Sequence, residues 1–469
     1  MALSRADQSD SRRRALLIYS LGIANRGLGR WTEAFKVWEQ ALEIFEALAD
    51  QENIARTCLQ LAEGAAWSGK QRETLATAER LLAKLSENSS ERALLLAILA
   101  LGKLDEDEPD AAREVFTAAL AVAEKLPDSG VKGAILAFRS KFNFVCLNMR
   151  EALEDSLRSA ELLSPAAAWI RAERLLWYKA TLVNLGRMKE ADNVDQELEP
   201  LASRIGHLPA LSSCRRTSAW TEFWRRPDLA RLEDKVRGDL DAQTEPGMNP
   251  FFMSAAQLST TQFLSGKWDQ ALRHAESAWS REAPGHVQAM NVAVRFRVMA
   301  YAGDREGALA LINGNSEMIA RAGKTNIYGS WMLLIAAIEG MYVLGERERA
   351  AMLYRDVDEL INTGTIFVQI LSRFPRTVAG ISAAAAREWN VAEEHFRIGL
   401  EQAESFPNQL EQAEIRRFHA MMLIDRAAPG DREKAQTLLS EALESYAQIG
   451  MPRHVEMTKA LLARSDTRD

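Results

Sequence analysis

The chain has 469 residues, 47% hydrophobic and 26% charged, with 58 Lys and Arg against 65 Asp and Glu for a formal charge of −7. That length exceeds an ordinary single domain, so it is several domains or a repeat array, and the composition excludes a disordered polymer. The acidic balance lacks the basic footprint of a nucleic-acid binder, and no stretch approaches about 18 uninterrupted apolar residues, so neither nucleic acid nor membrane insertion is expected.

In chain order, residues 1–14 (MALSRADQSDSRRR) carry charges but no apolar core, which reads as a polar N-terminal tail and not a secretory signal. From Ala15 the text changes. ALLIYSLGIANRGL has the apolar period of a helix, Gly29 supplies a left-handed turn, and TEAFKVWEQALEIFEAL follows. In that second helix Ala34, Trp38, Ala41 and Phe45 fall at i, i+4, i+7 and i+11, one face of a helix.

The same phrase then returns. A turn residue, a small residue five positions on and apolar or small residues beyond it recur at Gly69, Gly186, Gly266, Gly303, Gly345 and Gly430. Degenerate copies sit in the same phase at Asp107, Leu147, Trp224 and Arg387. The spacing is about 40 residues throughout, which is the signature of a repeat array. Prolines 127, 200, 209, 246, 250, 284, 407 and 452 are expected to separate helix pairs, and Ser164-Pro165 to cap a helix.

One interruption stands out. Asp239–Phe252 (DLDAQTEPGMNPFF) places a Pro/Gly loop at 241–250, either a hinge or simply a longer loop. It divides a first subarray, 15–240 with copies one to six, from a second, 251–469 with copies seven to eleven and a final helix at PRHVEMTKALLAR. A two-helix unit cannot bury its apolar face alone, so each copy needs a neighbour. The fold expected is therefore an all-α, right-handed superhelical α-solenoid of about eleven helix pairs with a C-terminal capping helix.

These residues resemble the tetratricopeptide repeat, with its Gly near the end of the first helix and small residues on the second; Trp31, Trp268 and Trp389 occupy its aromatic place. The period departs from that family's 34 residues, which implies longer helices. The long variant is similar to the C-terminal sensor arrays of bacterial signal-transduction ATPases and class III cyclase–ATPase fusions. That likeness implies a bacterial, cytoplasmic regulator, and the closing phrase LLSEALESYAQIGMPRHVEMTKALL carries it.

Little in the chain reads as catalysis. RAGKTN (321–326) lacks the Gly that a phosphate loop needs five residues before Gly323, where Met318 stands, and a helix-ending glycine accounts for it. Six histidines form no HExxH pattern, so solvent-facing or core-edge positions are expected, and no GxSxG elbow occurs. Cys58, Cys146 and Cys214 form neither a disulfide framework nor a zinc site, which fits a reducing compartment. No enzyme, cofactor or metal is expected.

What remains is a surface. The first helices of such an array line its concave side, and the repeat frame turns Trp67, Lys141, Phe144, Arg297, Tyr301, Glu339 and Tyr342 inward. Aromatics with a few charges suit an extended peptide or a small polar ligand. Two functions follow: a scaffold that captures a peptide or protein partner in the groove, or a sensor that closes around a small molecule.

Overall fold

The computed structural model describes residues 2–68, 71–83, 85–242, 249–277 and 285–466. Among them lie eleven helix pairs and a last helix, the expected all-α solenoid. The first six pairs are α1 (Ala2–Gly27) with α2 (Trp31–Ala47), α3 (Gln51–Ser68) with α4 (Gln71–Leu82), α5 (Ser90–Asp105) with α6 (Pro109–Ala123), α7 (Ser129–Val145) with α8 (Met149–Leu162), α9 (Ala168–Asn184) with α10 (Met188–Ile205), and α11 (Leu208–Arg225) with α12 (Leu229–Asp241). The next are α13 (Asn249–Leu264) with α14 (Trp268–Ser277), and α15 (Gly285–Ala302) with α16 (Arg305–Gly314). In the ninth, α17 (Tyr328–Val343) faces a broken partner, α18 (Arg347–Ala351) and α19 (Tyr354–Asn362). Then come α20 (Pro375–Ala385) with α21 (Trp389–Ser405), α22 (Gln409–Arg426) with α23 (Asp431–Ile449), and the closing α24 (Pro452–Asp466).

The turn within a pair is set by backbone conformation. Gly29, Gly186, Gly266, Gly303 and Gly345 have φ between 71° and 82°, and at the degenerate copies Asp107, Leu147 and Arg387 adopt 65°, 58° and 61°. An L-residue pays about 1–2 kcal/mol there. The packing of the pair therefore imposes the turn, and glycine only makes it cheaper. The sixth pair departs from the frame: α11 runs past Trp224, Arg226 is extended ahead of Pro227, and Asp228 caps α12 by accepting from the Arg231 N–H at 3.0 Å.

Burial follows the stripe read from the sequence. Ala34, Trp38, Ala41 and Phe45 of α2 are fully enclosed, and the Trp38 indole lies so close over Gly22 that a Cβ there would collide with it. First helices stack on first helices, α5 on α7 on α9, and α13 on α15 on α17. As the innermost of these, α17 is buried at Tyr328 to Tyr342 without a break.

Successive superhelical turns touch. The first pair meets the fifth at Trp31 and Trp169, whose rings are 6.5 Å apart. The fifth meets the loop after the ninth, where Asn184 O accepts from the N–H groups of Ile366 (2.8 Å) and Phe367 (3.2 Å). The seventh meets the capping helix, Phe263 lying edge-on to His454 at 5.6 Å.

Several local readings change. Residues 2–14, taken from sequence as a tail, are helical within α1. Pro200 lies inside α10, not between pairs. Ser164 and Pro165 precede α9 in a turn, the Ser164 hydroxyl accepting from Ala166 N–H at 3.3 Å, and the helix starts later. Most of the 241–250 loop lies outside the described residues; on either side of it, Ser212 and Asp239 bond with Ser254 of α13 through one buried cluster.

The largest unforeseen element is the loop at 363–374. It turns inward, with Val368 and Arg373 exchanging backbone hydrogen bonds, and buries Phe367, Ile370, Leu371, Arg373 and Phe374. Trp224 holds it from one side, 4.6 Å from Phe367 and donating to Ser372 Oγ at 3.3 Å. Arg297 holds it from another, donating to Leu371 O at 2.7 Å. This loop plugs the inner face of the superhelix.

Candidate functional site

The inward-facing residues divide into two groups. Arg297, Tyr301, Glu339 and Tyr342 are buried, at 3%, 6%, 0% and 2% exposure, so none presents a free surface. Lys141 and Phe144 face an open cleft. Trp67 lies in α3 with its side chain outside the described residues.

The first group belongs to a buried ionic network. Glu339 of α17 accepts from Arg297 (3.1 Å), from Tyr301 OH (2.7 Å) and, through both oxygens, from Arg373 of the plug (2.8 and 2.9 Å). Arg373 also donates to Glu411 (2.9 Å) and Glu414 (2.8 Å) of α22. Arg417 bridges Glu414 (2.9 Å) and Tyr301 OH (2.8 Å), while Tyr446 OH donates to Glu414 at 2.6 Å. Three carboxylates thus meet three guanidinium groups, and the charges balance.

Burial alone would raise Glu339 and Glu414. Arg297 and Arg373 for the first, and Arg417 and Arg373 for the second, outweigh it and hold both carboxyls well below the usual range. At Glu411 burial wins over Arg373, and its carboxyl sits above that range. Tyr342 stands apart, its ring 3.3 Å from the Arg347 guanidinium carbon and its hydroxyl 3.4 Å from Asp425.

The cleft lies where six successive first helices approach the plug. α7 brings Lys141, Phe144 and Val145; α9 brings Trp177 and Asn184; α11 brings Arg216; α13 and α15 bring Met253 and Met290; α17 brings Tyr328; the plug adds Gln369 and Ile370. It holds about 120 Å³ of open space. Phe144 is its central aromatic, stacked on Tyr328 at 5.5 Å and tilted to Trp177 at 5.4 Å. Lys141 Nζ stands 5.5 Å from the Trp177 ring, and Arg216 is tied to Asp239 and Ser254 at 3.2 Å each. Among the described residues, Lys141 and Arg216 are the charged side chains at this space, and Arg216 is paired with Asp239 behind it.

Sequence reasoning missed Tyr328, Arg216 and Gln369 because they come from different copies, and only superhelical closure brings them together. It also placed the histidines at the surface or core edge. His207 and His454 are fully enclosed, His207 stacking on Trp169 at 4.0 Å and meeting Glu173 at 3.1 Å. Nor does Gly323 end a helix: it lies in the loop between α16 and α17, and its N–H donates to Glu359 at 2.7 Å while Ala322 N–H donates to Asp356 at 2.8 Å. Backbone donors already committed to carboxylates are the reverse of a phosphate cradle.

The three cysteines are buried and form no disulfide with one another, and burial pushes the thiols of Cys146 and Cys214 up to about 12, which makes both poor nucleophiles. Among the described residues no group of three or more His, Cys, Asp or Glu could hold a metal, and no helix is long and apolar enough to cross a membrane.

No protein-family model and no curated protein matches the chain. Similar solved structures include Scc4 in complex with Scc2n (11% identity, covering 98% of this chain and 90% of that one, TM-score 0.48) and the APC/C hetero-tetramer Cut9–Hcn1 (11%, 96% and 96%, 0.43). The P58(IPK) TPR domain is another (13%, 88% and 99%, 0.25). At such identities a likeness concerns the fold alone.

Proposed function

We propose that the chain is a non-enzymatic regulatory array that acts by binding, with its ligand seat in the cleft around Lys141 and Phe144. One observation carries this reading: the chain's own plug and ionic network occupy the inner face, and this cleft is walled by six successive helix pairs. A molecule seated there touches α7, α9, α11, α13, α15 and α17 together, so its binding energy bears on the curvature of the array. Such coupling is what a sensor requires. The resemblance to long-repeat signalling arrays supports the same role in a cytoplasmic, bacterial setting.

The test is native mass spectrometry of protein from its source host, paired with hydrogen exchange. A retained small molecule, with protection of α9 and α17 that is lost on its removal, is the expected result. No retained species, and no protection by any added compound, would sink the proposal.

A protein-partner role draws support from the outside of the array. Leu17 and Leu21, one turn apart on α1, are 67% and 51% exposed, and Leu28 in the turn that follows is 59% exposed. If that face binds a protein, Leu17→Asp with Leu21→Asp abolishes the association and leaves the cleft's ligand in place.

A further inference from the structure

We propose that the plug is a detachable internal ligand. Its seat on the inner face also takes a segment of a partner protein, an extended stretch with one arginine among apolar residues, which binds when the plug withdraws. This goes beyond the cleft and does not depend on a ligand there.

The walls of the seat come first. Behind the plug, α15, α17 and α22 present Arg297, Tyr301, Glu339, Glu411, Glu414 and Arg417. Replacing a buried ionic set by apolar side chains of similar volume is often neutral or stabilising, so such a set is a poor way merely to fill a core. It suits a surface that is dry with the plug in and covered by water with the plug out.

Charge is the second argument. Among the described residues, taking Arg373 away leaves Glu339, Glu411 and Glu414 facing Arg297 and Arg417, one cation short. His454, 3.6 Å from Glu414, does not make up the difference, because burial keeps it neutral. Arg373 spends Nε and both terminal nitrogens on the three carboxylates, at 2.8 to 2.9 Å. A lysine ammonium cannot reproduce that planar fork, so the incoming segment carries arginine.

Form is the third. The plug is held as an extended peptide is held, by main-chain bonds, a ring pocket and a charged anchor. Asn184 O takes the N–H groups of Ile366 and Phe367, Arg297 donates to Leu371 O, and Phe374 N–H donates to Glu411 at 3.0 Å. Phe367 packs among Trp224, Phe406 and Phe374, at 4.6, 5.2 and 5.6 Å. Gly364, at φ 83°, starts the segment, and Ser372 near its end holds φ 50°, a conformation costly to an L-residue and relieved when the loop lets go.

The experiment uses the full chain and a decapeptide of the plug's own sequence, TIFVQILSRF (365–374), with citrulline in place of arginine as the uncharged control. Hydrogen exchange on the unaltered chain comes first. The plug's amides are expected to exchange at least about tenfold faster than those of α17 and α22, through an opening short of global unfolding. Arg373→Gln loosens the plug, and is expected to raise the peptide's affinity at least about tenfold in fluorescence anisotropy by populating the open seat. That variant should bind the arginine peptide at least about tenfold more tightly than the citrulline one, which lacks the charge-assisted bonds.

Plug amides that exchange in step with α17 and α22 would make the loop a fixed part of the core and overturn the proposal. This comparison needs no variant and stands even if Arg373→Gln fails to fold. Equal binding of the two peptides, or no binding of either to Arg373→Gln, overturns the arginine-anchored partner.

Discussion

Gly206 rests directly against Gly27: a Cβ built on Gly206 would stand 2.8 Å from the Gly27 Cα and collide with its carbonyl oxygen. The two residues end α1 and α10, so this close approach closes the first superhelical turn, and the left-handed φ of 67° at Gly206 adds a second reason for glycine. Gly206→Ala is expected to cost about 1–2 kcal/mol from the backbone alone. It should also push α1 away from the α10–α11 turn, raising the radius of gyration in small-angle scattering and the exchange rate of α1 amides. An unchanged radius would mean that closure does not depend on this contact.

The non-glycine turns give a sharper test of what imposes the repeat geometry. Arg387 is exposed at φ 61°, so Arg387→Gly should remove strain without removing packing and stabilise the chain by about 1 kcal/mol. Leu147, at φ 58°, is 1% exposed, and Leu147→Gly should be neutral or destabilising because lost burial offsets the relieved strain. Gly345→Ala supplies the reverse case: open space surrounds its position, so any loss of stability is conformational. Urea denaturation of the three variants checks the ranking.

The turns were readable because one constraint, a left-handed residue between two apolar-periodic helices, repeats in nine of the eleven pairs; the turn expected at Gly69 lies outside the described residues. Even degenerate copies kept phase, since α6, α8 and α21 must present their small residues at the same angle. The sixth turn was misplaced because Pro227 and Asp228 make it by another route. The inner face was far less legible. Helical period puts Glu339 and Arg297 on the inner side of their helices; it cannot say that the loop directly after α19 will fill the groove they were expected to line. TIFVQILSRF has no helical period, and its one informative residue is Arg373, the single charge in a mostly apolar run. Glu411, Glu414 and Arg417 give a similar hint, charges set three residues apart along a face that is otherwise apolar.

That buried network should behave as a clamp on the closed form. Glu339 takes bonds from Arg297 and Arg373, and Glu339→Gln removes the carboxylate that Arg297 bonds and one of the three that Arg373 bonds. Removing one member of a buried ionic set typically costs about 3–5 kcal/mol, far more than losing an exposed pair such as Arg397 with Glu394, whose attraction solvent screens. Glu339→Gln should thus lower the urea midpoint strongly, and Glu394→Gln hardly at all. Similar small losses for both would show that the network contributes little beyond its packing.

Acid should weaken the fold before any carboxylate titrates. Burial pushes His395 and His419 down to about 4 and His454 to about 3, from an ordinary value of 6.5. The charges around them differ: Arg376 and Asp358 at His395, Lys434, Glu393 and Arg426 at His419, and Glu414, Arg417, Arg297 and Arg373 at His454. In each case the folded state refuses a proton that the unfolded state accepts below pH 6.5, so unfolding takes up protons and stability rises with pH. The loss on going from pH 6.5 to 5 is about 1 kcal/mol or more per histidine, least for His395, the least enclosed. Glu411, shifted upward, works in the opposite sense and offsets part of it, whereas Glu339 and Glu414, shifted downward, add their own loss as pH falls through the ordinary carboxylate range and below it. Urea unfolding at pH 7, 6 and 5 should show the decline, and replacing all three histidines with Gln should flatten it; a slope that survives their removal would assign the effect to other groups.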